Sequence, residues 1–447
     1  MCKRYRDIDK YIEKCVERKQ NTIDLSFCSN EYIPPTIVED LKHLNLLKID
    51  SFYSNFKNIP NNIGELITLK EIIFCRCHIK EIPLEIGKLT CLETICLGGN
   101  KIEKIPSEIG NLKLLKVLNL RLNNIKEIPL EIDKLTCLEK LYLGRNNIEI
   151  FPESLELRKL KSLKILDLSG NKIEKIPSEI GKLIFIEELH LEDNKIKKIP
   201  SEIGKLRLLK VLEIYGNEVE YLPQEFVKLK KLKILKIDSN KFSGILPLEI
   251  FKLNSLEHLN VSNNNLTFVP SEIKNLTSLK ILFMSKCPIK YIHPDISNLN
   301  AKMSITNCKI YYIPPELSEK KNDIYIRNHY SVKPLFEKFY NNKKYDLKVL
   351  YCRYFKDINK MTNKIDGPLS ETIVKNIRND LRNYLTKNLS IHLTILIKKM
   401  GFLVLKNKNN YYYCSDLIIL ILKYLWDVDL PIKKSIVDKT YNFLFFK

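Results

Sequence analysis

No apolar run in the chain approaches the ~20 residues needed to cross a bilayer. The longest candidate, Leu417 to Trp426, is about half that length and contains Lys423. The opening residues Met1 to Asp7 carry charges with no apolar stretch behind them, so no secretory signal is expected. Position 2 is Cys and the last residues are Leu444, Phe445, Phe446 and Lys447, so lipidation is not expected either. Gly (13) and Pro (19) are too few for a collagen-like or low-complexity chain of 447 residues. The phosphate-loop, HExxH and GxSxG motifs are all missing, and the seven His are scattered at 43, 78, 190, 258, 293, 329 and 392. A non-enzymatic protein without cofactor or metal is therefore expected. Twelve Cys without a secretory signal point to reduced thiols and a cytoplasmic chain, with the nucleus also open.

Positive charge is in excess. The formal net charge is +21, carried by 62 Lys and 12 Arg. Lys, Asn, Ile and Tyr are abundant together, as in an AT-rich coding sequence, so the excess by itself is weak evidence for a polyanion partner. It is also uneven: residues 331–447 hold 22 basic and 10 acidic side chains, a net +12.

Prolines recur at 60, 83, 106, 129, 152, 177, 200, 223, 247 and 270, mostly 23 residues apart. A fixed period of this size means a solenoid. One copy runs from Leu163 through Leu166, Leu168, Asn171, Ile173, Ile176, Pro177 and Ile180 to Leu183. Its Leu-x-Leu alternation predicts a short strand with one face inward. Stacking such strands at ~4.8 Å predicts a parallel sheet. Ile-Pro then opens a return path whose Ile-x-x-Leu faces the core from the convex side. The pattern resembles the leucine-rich repeat, and in detail the 23-residue class found in intracellular Ras-suppressor and Ras-scaffold proteins. About 13 repeats fit residues 21–329, with a partial last strand at Asp323 to Arg327. The fold class is thus α/β, a curved leucine-rich repeat solenoid, and the resemblance implies a small GTPase or another signalling protein as partner.

The ninth position of each repeat ends the strand and turns inward, where its side chain can satisfy backbone groups of adjacent turns. Those positions are Cys28, Ser54 (or Asn55), Cys77, Asn100, Asn123, Asn146, Asn171, Asn194, Asn217, Asn240, Asn264, Cys287 and Cys308. The four Cys among them read as buried structural thiols. The run Cys75, Arg76, Cys77, His78 suggests zinc. However, Cys75 should face the concave surface and Cys77 the core, which separates them. Two repeats break register: two extra residues fall between Pro152 and Pro177, and one between Asn240 and Pro247, where the sequence resembles a plant-type repeat.

A solenoid needs covered ends. Residues 1–20 read as an N-terminal capping helix with Ile8, Ile12, Cys15 and Val16 on one face. Residues 330–447 read as a basic, mainly helical C-terminal capping domain containing one hairpin. An alternative makes this domain a nucleic-acid or anionic-membrane adaptor. A further alternative uses Cys414, in a Cys-Ser-Asp triplet similar to that of bacterial leucine-rich ubiquitin ligases, as a catalytic thiol.

The third, fifth and seventh positions of each strand should face out of the concave sheet. Across the repeats these hold eight acidic residues (Asp24, Asp50, Glu71, Asp167, Glu188, Glu192, Glu213, Asp238) against five basic ones (Lys48, Arg121, Lys140, Lys236, Lys302). An acidic face in a basic chain is a poor surface for phosphates and a fair one for proteins. The expected binding site is its centre: Tyr142, Asp167, Glu188, His190, Glu213, Tyr215 and Lys236.

Overall fold

The structure, a computed structural model, describes residues 8–289, 291–308, 310 and 324–325. The capping helices, hairpin, basic surface and Cys414 expected within 330–447 lie outside the described residues. Among the described residues no helix is long and apolar enough to cross a membrane.

Fourteen strands form one sheet in which every strand pairs with its predecessor in the repeat, from Thr22–Asp24 to Ile324–Tyr325. The pairings are parallel and in register; Leu166, Leu189 and Leu212, for example, stand side by side. Most strands are only three residues long, because just one Leu-x-Leu unit per repeat alternates before the ladder residue turns inward. The C-terminal remnant pairs Met303 with Ile324, extending the sheet where sequence placed a partial strand.

The convex side is made of 3₁₀ turns. Pro177 sits at φ −70° before Ser178–Lys182, and the amides of Ile180 and Leu183 bond three residues back at 3.1 Å. Ile180, Leu183, Ile186, Leu189, Leu191, Ile196 and Ile199 are all buried, so each turn of the solenoid adds a complete apolar layer. At about 1.5–3 kcal/mol per aliphatic side chain, this layering is the main stabilising term. Gly204 shows how closely the layers approach: a Cβ there would lie 2.5 Å from the Glu225 carbonyl oxygen.

The ladder is formed as expected. Asn100 Nδ2 donates to the carbonyls of Phe74 and Leu97 at 2.6 and 2.8 Å, and its Oδ1 accepts from the Ile79 amide at 3.1 Å. The same pattern recurs at Asn123, Asn146, Asn171, Asn194, Asn217, Asn240 and Asn264. Thiols replace it at Cys77, Cys287 and Cys308, whose Sγ atoms donate to Ser51, Val261 and Met284 carbonyls. Ser54 rather than Asn55 is the second rung, since its hydroxyl reaches the Leu25 carbonyl at 2.7 Å. Cys28 departs from the expected free thiol: it is buried but disulfide-bonded.

The residue before each rung has positive φ, in the left-handed region. Gly99, Gly170 and Gly216 adopt it freely, whereas Phe27, Tyr53, Arg76, Leu122 and Arg145 do so at a steric cost of about 1–2 kcal/mol each.

Both irregular repeats keep the sheet intact. The insertion after Pro152 shortens the convex turn to Leu157–Lys159, which leaves room for a buried Asp133 and places Lys159 Nζ 3.3 Å from it. The insertion after Asn240 forms an additional convex strand, Ser243–Ile245, which pairs with Asn265–Val269; Tyr291–Ile292 completes a second parallel sheet. At the N-terminus, the helix Ile8–Glu17 buries Ile8, Tyr11, Ile12 and Cys15, and the Tyr11 hydroxyl accepts the Asp24 amide at 3.2 Å. A second helix, Pro35–Leu41, stands in the first repeat where the later repeats have 3₁₀ turns, in line with the short helix or 3₁₀ turn expected on the convex side.

Candidate functional site

Five neighbouring strands carry the centre of the concave face: Lys140–Tyr142, Ile165–Asp167, Glu188–His190, Val211–Glu213 and Ile234–Lys236. Register fixes the rows. Tyr142, Asp167, His190, Glu213 and Lys236 stand side by side across consecutive strands. All seven residues expected from sequence therefore lie on one surface, with Glu188 and Tyr215 one row to either side.

Their polar atoms are connected. His190 Nε2 lies 3.3 Å from Glu188 Oε2, and its Nδ1 lies 3.5 Å from Glu213 Oε2. Glu213 Oε1 accepts from Lys236 Nζ at 2.7 Å. Asp167 is nearly fully buried and takes both the amide (3.0 Å) and hydroxyl (2.6 Å) of Ser169. Its other oxygen meets Arg121 Nε at 3.1 Å, from two strands away. Gly144 permits this: a Cβ there would lie 2.7 Å from the Asp167 carboxylate.

These contacts move the titrations apart. The hydrogen bond to His190, with help from Lys236, lowers the Glu213 carboxyl to about 2 against the opposing effect of burial. Burial pulls His190 down, but hydrogen bonds to Glu213 and Glu188 outweigh it and the net shift is upward. Glu192 and Asp238 are raised, chiefly by burial. Tyr215 is raised to about 12 by burial and then by surrounding carboxylates, and Tyr142 is raised for the same reasons.

A pH dependence follows. A depressed carboxyl stabilises the fold above its unfolded value and loses that contribution as pH falls through the folded value. The Glu213 contribution should thus disappear between the ordinary 4.5 and about 2. Thermal melts of Glu213→Gln should fall less over that window than those of wild type. Parallel curves would remove Glu213 from the account.

Sequence reading missed three features of this surface. The first is the Arg121–Asp167 pair, which skips a strand. The second is Glu192, which is buried and has an oxygen, Oε2, without a hydrogen-bond partner. Both residues were identifiable as outward-facing, but period alone does not reveal pairing. The third is an exposed aromatic group in the first repeats: Tyr53 stacks on Phe27 at 6.3 Å and meets Phe52 edge-on at 4.5 Å, with Arg76 5.1 Å above its ring. Cys75 and Cys77 point to opposite sides, as expected, and Cys77 is in the core. Cys75 instead neighbours Cys96 on the concave side, with Sγ 3.6 Å from the Cys96 carbonyl. The Cys96 thiol is the main cause that lowers Cys75 to about 7.

A family model described as a leucine-rich repeat region matches residues 22–148 and 179–285, more than half of the chain, and a second leucine-rich repeat model matches 162–183. The chain belongs to the leucine-rich repeat family. No curated protein matches it. Among solved structures it is similar to a leucine-rich repeat protein of Leptospira interrogans, with 27% identity, 70% of this chain and 97% of that one covered, and a TM-score of 0.48. It is also similar to an internalin of Listeria monocytogenes (22% identity, 66% and 92% covered, TM-score 0.52). A plant peptide hormone receptor solved in complex with RGF2 matches at 24% identity, with 70% of this chain and 61% of the receptor covered and a TM-score of 0.52. The last two likenesses are of fold.

Proposed function

We propose that the chain is a non-enzymatic adaptor that binds a protein partner on its concave face, centred on the strands from Lys140–Tyr142 to Ile234–Lys236. The observation that carries this is charge sorting. In a chain of net +21, these strands and the residues just beyond them carry Asp167, Glu188, Glu192, Glu213 and Asp238 against Lys140 and Lys236, and the face stays acidic even when Arg121, paired with Asp167, is added. Lysine enrichment acting equally on every solvated position would have made this face positive. Tyr142 and Tyr215 lie among the carboxylates, half-buried and rigid, which suits anchors at the centre of an interface. The complementary partner has a basic or mixed contact surface with apolar anchors. The resemblance to Ras-suppressor and Ras-scaffold proteins makes a small GTPase or another signalling protein inside the cell the first candidates to try.

The test is kinetic. Glu213→Lys in the full chain should slow association with the recovered partner roughly tenfold at low salt, an effect that fades as salt screens it. A partner that binds this variant at the wild-type rate, but loses affinity for the convex variant Lys182→Glu, docks elsewhere.

A further inference from the structure

We propose that His190, Glu192 and Glu213 form a binding site for a divalent transition-metal ion of the zinc type on the concave face. One ligand atom from each lies within 4.8 Å of those of the other two. His190 is the last residue of its strand, Glu192 follows two residues beyond it, and Glu213 is the register partner of His190 on the next strand. This gathers an imidazole nitrogen and two carboxylate oxygens within reach of one ion. A small inward adjustment of side chains brings three such atoms to the ~2.0–2.2 Å typical of zinc.

Glu192 points to the same ion by its own environment. It is only 9% exposed, and its Oε2 has no hydrogen-bond partner. A buried carboxylate oxygen normally has one, because leaving it bare is costly. Neighbouring Glu213 and Asp167 worsen its position by like charge, after burial itself. A cation at this point satisfies the orphan oxygen and relieves the repulsion together.

The surroundings fit the same reading. Glu188 Oε2 lies 3.3 Å from His190 Nε2 and can accept its N–H, which leaves the Nδ1 lone pair directed toward Glu213. A carboxylate behind the far nitrogen is the usual support of a metal-binding imidazole. Lys236 holds Glu213 Oε1 at 2.7 Å and leaves Oε2 for the ion. With His190 neutral, the carboxylates of Glu188, Glu192 and Glu213 against the ammonium of Lys236 leave two negative charges, matching a dication. A single imidazole with carboxylates favours zinc-like ions over the all-oxygen cages of calcium.

The experiment titrates the full chain with Co²⁺ as a spectroscopic stand-in for zinc, with no partner present. Its outcome is therefore independent of the adaptor reading. Cobalt on thiolates gives a strong near-ultraviolet charge-transfer band, whereas this site should give only a visible band at one equivalent. Glu192→Gln, nearly isosteric, should abolish the visible band and the accompanying rise in melting temperature. Glu188→Gln, which removes only the support, should weaken binding by about 10–100-fold. A wild type that shows only thiolate-bound cobalt, or a folded Glu192→Gln that binds as wild type does, overturns the proposal.

Discussion

Replacing Asn171 with Ala should destabilise the protein by about 1–3 kcal/mol, chiefly by leaving the buried Ile148 amide without an acceptor, since the carbonyls of Leu143, Leu168 and Ser169 keep donors from Asn146, Asn194 and Arg145. Asn171 is buried, and its Nδ2 donates to the carbonyls of Leu143, Leu168 and Ser169 at 3.0–3.1 Å. Its Oδ1 accepts the Ile148 amide at 3.0 Å. The methyl of Ala does none of this. Asn171→Cys should cost less than Ala, because a thiol can keep one bond of each kind. Cys287 does so elsewhere in the ladder: its Sγ donates to the Val261 carbonyl and receives the Asn264 amide, both at 3.4 Å. In a stacked array each repeat is stabilised mainly by its neighbours, so the damage should be local. It should weaken the junction with the irregular repeat between Pro152 and Pro177 first. Urea melts with amide exchange at Ile148 would check both size and place. An Ala variant as stable as wild type would contradict the ladder's role.

Truncating Tyr215 to Ala should weaken partner binding by about 2 kcal/mol, close to 30-fold, and Tyr142→Ala should act similarly. Both rings are already half-buried against the sheet, so docking loses little side-chain freedom. With its pKa pushed up to about 12, the Tyr215 hydroxyl stays protonated at any physiological pH and can donate to a partner acceptor. Tyr221, half-exposed beyond the end of its strand, is the control: its removal should change binding little. Equal losses for Tyr221 and Tyr215 would mean that the tyrosine effects are not specific to the concave centre.

How much of this was legible in the sequence depends on what a period can encode. Prolines 23 residues apart, Leu-x-Leu and a ladder residue determine which face each side chain takes, so the rungs, the buried aliphatics and the concave row could be read residue by residue. Even Ser54 could be proposed, although choosing it over Asn55 required the 2.7 Å contact to Leu25. A period does not encode what neighbouring side chains do once they share a face. Arg121 reaches Asp167 because Gly144 lies between them, and Glu192 is left with a bare buried oxygen. Nor does it describe the departures from itself. A single extra residue before Pro247 produced an additional strand, Ser243–Ile245, that pairs with the next repeat.

If a protein partner docks across the concave strands of the middle repeats, hydrogen–deuterium exchange of the full chain with and without that partner will register it. Binding there should slow exchange at the strand exits between residues 140 and 240, around Asp167, His190 and Tyr215, and leave the convex turns Ser178–Lys182 and Ser201–Lys205 unchanged. Protection concentrated on those turns, or within residues 330–447, with the concave strands unchanged, would contradict it.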